Sequence, residues 1–298
     1  MSMIKGGVAF FDSGIGGLNV LSACQSVLSG LPVYYYGDNV HAPYGNKSRE
    51  ELAPLVYQAF ERFAVLQPKA AVIACNTVTA LFIDDLRKRY SFPIVGCVPA
   101  VRAAAKEGGE VYVLATNATV NSTRMRALAF QTEKEFPNAT LRLCGCGKLA
   151  GEIERHILER DYDFTPFLPK GKPSAVVLGC THYSYLQKVV EEFYGCLCYD
   201  CYGEVAKKLL AITSIFEGKS PFFSARCLGR LFARKNTLKF PRFSSKFSPK
   251  KCKKIRKCKR AQPFYFLGSG RFLNAKFYKQ MFAIQVNGGK VVKISQKN

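Results

Sequence analysis

Ala70-Ala71-Val72-Ile73-Ala74-Cys75-Asn76-Thr77 and Ala175-Val176-Val177-Leu178-Gly179-Cys180-Thr181-His182 are two versions of one pattern. A short, β-branched apolar run ends at a cysteine, and polar residues follow at once. Such a run, bounded by turn residues, reads as a strand buried on both faces of a parallel sheet. The residues after each cysteine, 78–90 and 183–193, read as helices. Each thiol is therefore expected where a strand ends and a helix begins, the edge at which open α/β sheets bind ligands. A helix N-terminus there favours anions, a thiolate included. A free cysteine usually only packs. A packing cysteine, however, does not require Asn76-Thr77 or Thr181-His182 immediately after it. Two such loops imply two halves facing one site.

Working outward, β-α alternation continues on both sides of these loops. Gly7 to Phe11 reads as the first strand, and Asp12-Ser13-Gly14-Ile15-Gly16-Gly17 as a glycine-rich turn into a helix. A dinucleotide fingerprint would need a glycine where Asn19 stands, and Asp12 would repel a pyrophosphate. Ser48-x-x-Glu51 reads as a capping box, and Thr119 or Asn121 as the cap of a helix reaching Phe130. Cys196 to Tyr199 reads as a late strand, Gly203 to Phe216 as a helix, Phe264 to Leu267 as a returning strand and Ala275 to Phe282 as a helix. The fold class is α/β: two doubly wound parallel-sheet domains facing each other across the active site. The first unit spans 1–97, completed by 203–217 and 262–284; the second spans 98–202. Residues 218–261 read as a basic, poorly ordered C-terminal insertion and 285–298 as a tail.

Composition narrows the class. The 298 residues hold no apolar run of membrane-spanning length. No signal-peptide pattern is present in Met1 to Phe11, so a soluble cytoplasmic protein is expected. The 12 cysteines then do not imply disulfides. Cys196-x-Cys198-x-x-Cys201 is half a zinc pattern; a structural zinc needs four ligands, and only Cys252 and Cys258 could add to it. No metal is expected. The net charge of +23 is carried by Gly218 to Asn298, which has 22 Lys/Arg and no Asp or Glu. The other 22 of the 44 basic residues meet all 21 acidic ones, a net of +1. Such asymmetry suggests polyanion or nucleic-acid binding by the basic segment.

Several motifs together carry a resemblance: Phe11-Asp12-Ser13-Gly14-Ile15-Gly16-Gly17, Tyr36-Gly37-Asp38-Asn39, Pro43-Tyr44-Gly45, Ala74-Cys75-Asn76-Thr77 and Leu178-Gly179-Cys180-Thr181-His182-Tyr183. In this order they resemble the glutamate racemases of the cofactor-independent aspartate/glutamate racemase superfamily, over about the first two-thirds of the chain. Leu267-Gly268-Ser269-Gly270-Arg271 with Phe282 resembles that family's C-terminal end, whereas 218–260 matches nothing in it. The resemblance implies Cys75 and Cys180 as two bases on opposite faces of an α-carbon, Cys75 serving D-glutamate and Cys180 L-glutamate. Inverting a centre requires removing a proton from one face and supplying one to the other. A thiol can do both once its surroundings lower its pKa from about 8.5. Asp12 and His182 would assist the two thiols. Glu154 aligns best as the support of His182, with Glu152 two residues earlier and the preceding Ala150-Gly151 departing from the family pattern. Asp12, Ser13, Tyr44, Gly45, Asn76, Thr77, Thr181 and His182 would hold the substrate, and Thr116 and Thr119 would add contacts. No cofactor is implied. The family role is supplying D-glutamate for peptidoglycan. An aspartate or related racemase, or a polyanion-binding protein on a racemase-like body, remains open, as does a homodimer.

Overall fold

The computed structural model describes residues 6–28, 30–159, 161–216, 264–268 and 291–293. The first sheet contains β1 (Val8–Asp12), β2 (Val33–Gly37), β3 (Ala70–Ile73) and β4 (Ile94–Gly96), joined through α1 (Gly17–Cys24), α2 (Arg49–Leu66) and α3 (Asn76–Arg89). A short α4 (Val101–Ala104) leads to the second sheet: β5 (Gly109–Ala115), α5 (Asn117–Asn121), α6 (Thr123–Glu135), β6 (Ala139–Gly145), α7 (Leu149–His156), β7 (Ala175–Leu178), α8 (Gln187–Tyr194) and β8 (Leu197–Tyr199). Then α9 (Tyr202–Phe216), β9 (Phe264–Gly268) and β10 (Val291–Lys293) follow. Every strand pair is parallel. The order is β10-β9-β2-β1-β3-β4 in one sheet and β6-β5-β7-β8 in the other.

The strands are apolar throughout because both faces are covered. In β1, Val8 and Phe10 face a core completed by α1 and by Val205, Ala206 and Leu209 of α9. Ala9 and Phe11 face the opposite core, where α2 lays down Leu52, Val56, Ala59, Phe60 and Phe63. That helical spacing matches one buried stripe. The second sheet is likewise packed on two sides.

The capping box opens α2: the Glu51 N–H donates to Ser48 Oγ at 3.2 Å and the Ser48 N–H to Glu51 Oε2 at 2.7 Å. The expected cap at Thr119 or Asn121 is corrected. Thr116 caps α5 and Ser122 caps α6, accepting from the N–H groups of Thr119 and Met125. A capping residue needs extended backbone. Thr116 and Ser122 have it, with ψ of 157° and 142°, whereas Thr119 and Asn121 lie within the short α5. The helix expected over 183–193 starts as a 3-10 turn, Tyr183–Leu186, before α8. Within the expected tail, Val291–Lys293 forms β10 and pairs with β9. The expected insertion at 218–261, the expected helix at 275–282 and the Ser269–Arg271 motif lie outside the described residues.

Candidate active site

β3 ends at Ile73, and Cys75 occupies the position just before α3. Cys180 follows β7 by the same spacing. The two sheets turn these ends toward each other, and one pocket is lined by both cysteines together with Ser13, Asn76, Thr77 and Thr181. Cys75 is 4% exposed and Cys180 6%.

Each thiol has its own polar partner. Cys75 Sγ donates to Ser13 Oγ at 3.6 Å. Cys180 Sγ lies 3.7 Å from His182 Nδ1, and His182 Nε2 lies 2.7 Å from Glu154 Oε1. Glu154 also accepts from the Ile15 N–H at 2.9 Å, so α7 of one unit grips the glycine-rich turn of the other. Glu152 turns outward instead, to Tyr162, Arg155 and His156. Asp12 is fully buried; it accepts from the Gly14 N–H at 3.1 Å and from Thr181 Oγ1 at 3.3 Å. Its charge acts on Cys75 through space, while Ser13 makes the direct contact.

The glycines of this turn serve the junction between the halves. A Cβ on Gly14 would lie 1.9 Å from Glu154 Oε1, and one on Gly16 2.3 Å from Thr181 Oγ1. Asn19, which breaks the dinucleotide pattern, donates from its amide to the Thr181 carbonyl at 3.4 Å.

Burial dominates the electrostatics. It pushes the Cys75 thiol up to about 12, aided by the negative charge of Asp12 and opposed by hydrogen bonds from the Val78 N–H and with Ser13. The lowered thiol pKa expected at this helix start is therefore corrected: one amide at a helix end does not offset removal from water. Burial likewise raises Asp12, against the attraction of His182. For His182, burial pulls downward, but the hydrogen bonds to Cys180 and Glu154 and the Glu154 charge outweigh it. The imidazole is held well above its usual value. A charged imidazole bridging a carboxylate and a thiol can pass a proton at Sγ.

Tyr44 lines the pocket with its ring, while its hydroxyl donates to Asp38, which also meets His41. Gly45 lies alongside. Asn76 donates to the Cys97 carbonyl at 3.2 Å, which fixes its side chain. Thr77 Oγ1 meets Thr116 Oγ1 at 2.9 Å and Thr119 Oγ1 at 3.5 Å, joining the two units across the pocket. Sequence reasoning missed Pro43 and Ala150 as lining groups; both carry no chemistry that marks them in a sequence. It also missed Tyr35 and Tyr185, whose hydroxyls donate to the carbonyls of Gly14 and Ile15 and hold the turn. A tyrosine in a strand or a short 3-10 turn gives no such signal beforehand. Among the described residues no cluster could hold a metal, and Cys201 of the half-zinc pattern meets Cys97 instead.

Paired parallel-sheet units that each bring a buried thiol to one shared pocket define an α/β protein of two facing units. The particular family follows from comparison. A family model for Asp/Glu/hydantoin racemases matches residues 18–209, and the chain belongs to that family, a family of isomerases. It is 36% identical over 197 residues to a glutamate racemase of Clostridium perfringens, covering 63% of this chain and 75% of that one. It is 36% identical over 200 residues to one of Clostridium botulinum, covering 64% and 77%. In fold it resembles a Bacillus anthracis glutamate racemase isoform, with TM-score 0.67, 21% identity and 97% of both chains covered. It also resembles Escherichia coli glutamate racemase in complex with L-glutamate and an activator, with TM-score 0.66, 24% identity and 97% of both chains covered. Among the described residues no helix is long and apolar enough to cross a membrane.

Proposed function

We propose that the protein is a glutamate racemase that interconverts L- and D-glutamate without a cofactor, supplying D-glutamate for peptidoglycan. The observation that carries this reading is the pair of thiols on one pocket, each with its own polar partner. The similarity to glutamate racemases of the two Clostridium species supports the choice of substrate.

In the L-to-D direction the Cys180 thiolate takes the α-proton. The electron pair remains on the α-carbon and its carboxylate, and the Cys75 thiol delivers its proton to the opposite face. The reverse reaction exchanges the roles. His182, held by Glu154, stabilises the Cys180 thiolate and accepts or returns its proton. Ser13 orients the Cys75 thiol, and Asp12, buried behind the pocket-lining residues, acts on a substrate ammonium only through its charge. That ammonium, an opposite charge within a few ångströms, also draws the thiols toward the thiolate. No Lys or Arg is among the pocket-lining residues described. The substrate carboxylates therefore bind hydroxyls and amides of Asn76, Thr77, Thr116 and Thr181 and backbone N–H groups near Gly45.

Incubation with either glutamate isomer in D₂O, without added cofactor, tests this reading. The expected result is decay of optical activity together with replacement of the α-proton by deuterium. Cys75→Ser and Cys180→Ser each abolish racemisation, because a hydroxyl is too weak a base. Activity only on aspartate, or only after adding pyridoxal phosphate, would replace this reading with another.

A further inference from the structure

The pocket-lining thiols, Asn76, Thr77, Thr181 and His182 are all buried between the two units, and the lining leaves little room for an amino acid unless the two units part. On one side they are tied through the buried network of Asp12, Thr181, Glu154 and the glycine-rich turn. On the other side the buried Thr77–Thr116 contact is joined by a surface one, made by the turn that carries the pocket wall. Tyr44–Asn46 is a single 3-10 turn. Its first two residues line the pocket, and its third is exposed and reaches across. The Asn46 amide nitrogen donates to the Gly147 carbonyl at 2.8 Å, and its oxygen accepts from Asn117 Nδ2 at 3.1 Å.

The seat is shaped for this turn. A Cβ on Gly45 would lie 2.6 Å from Thr116 Cβ, and one on Gly147 would lie 2.4 Å from Asn117 Nδ2 and 2.7 Å from Asn46 Oδ1. Nearby, Arg124 of α6 pairs with Asp84 of α3 across the same side. These groups are solvent-exposed, so each contact is weak and readily exchanged for water. The Asp12–Thr181 side is tied by buried and part-buried bonds, whereas the side of the turn adds exchangeable surface bonds, an asymmetry that suits a hinge and a latch.

We propose that Asn46 is the latch of the pocket: its side-chain amide, bonded to Gly147 and Asn117, holds the Tyr44–Asn46 turn closed over Cys75 and Cys180, and its release opens the site. Asn46 is a positioning residue, acting through Tyr44 and Gly45, and touches no reacting atom. The inference rests on the proposed function for the identity of what enters, but not for the gate itself.

Thiol alkylation tests it without relying on turnover. The full chain is treated with iodoacetamide, and modification of each cysteine is followed by mass spectrometry. A cysteine reacts only while reachable, so the Cys75 and Cys180 rates report the open population. Asn46→Ala removes both bonds. Gly147→Ala keeps the amides but pushes them apart, without demanding an unusual backbone. Each variant is expected to raise alkylation of Cys75 and Cys180 about threefold or more, the scale of one to two exposed hydrogen bonds. Cys24 and Cys97, which lie in the core of the first unit, stay at the wild-type rate and report any general loosening. Saturating D-glutamate suppresses the increase. Pocket-thiol rates equal to wild type in both variants overturn the latch, and so does a parallel rise at Cys24 and Cys97. If the wild-type protein lacks racemase activity but the pocket thiols still respond selectively, the functional reading fails and the latch stands.

Discussion

Cys75 stands before α3, where the helix dipole contributes about 0.3–1 kcal/mol toward a thiolate. Burial of an ionisable group shifts its pKa by up to about 3–5 units, at about 1.4 kcal/mol each, so burial wins. Pushed up to about 12, its pKa leaves the buried thiol protonated at neutral pH. The sign is testable. Alkylation of Cys75 in the unliganded protein should climb steadily up to about pH 10, because thiolate is the reactive form. A plateau below about pH 9 would contradict the burial argument. At the second thiol, Glu154 is the carboxylate that reaches His182. Glu154→Gln should lower racemisation on the order of 100-fold, a typical scale for weakened acid-base assistance. Glu152→Gln should change it less than about threefold, because neither it nor its partners Tyr162 and Arg155 line the pocket. Steady-state kinetics from each isomer separates the two.

α2 shows how an element distant from the chemistry fixes it. Its buried stripe packs in the same core as Ile73 and Cys75, so its placement sets the end of β3. Pro54 inside this helix removes one backbone donor. The helix start is therefore held by its capping box, with Ser48 and Glu51 each satisfying the other's backbone N–H. Ser48→Ala should cost about 1 kcal/mol. In a chain of this length that lowers the thermal midpoint by about 2–4 °C, measurable by calorimetry.

At the scale of the molecule, the chain returns to the first sheet after its most basic stretch: β9 pairs with β2 from Val33↔Phe264 to Gly37↔Gly268. Residues 218–261 carry none of the motifs that line the pocket. Replacing 220–261 by a flexible linker that preserves β9 should leave racemisation largely intact. It should also lower retention on heparin at low salt, because phosphate- and sulfate-type binding follows the number of basic residues. Loss of activity in a variant that still melts cooperatively would make the basic stretch part of the enzyme.

The alternation of apolar runs with helical stripes was legible from the residues alone, because a strand covered on both faces must be apolar throughout. So were both cysteine loops, since local sequence places a thiol at a strand end, and the Ser48 capping box, whose partners are three residues apart. Local sequence could not supply the contacts between the halves. Glu154 against Ile15, Thr181 against Asp12, and Asn46 against Gly147 join residues separated by 139, 169 and 101 positions. Nor could it supply the balance at Cys75, where the helix start argues for a thiolate and burial decides against one. Spacing along a chain fixes which face a side chain takes on its own element. Which atoms lie opposite, and how much water remains between them, is set only when the two sheets close on each other.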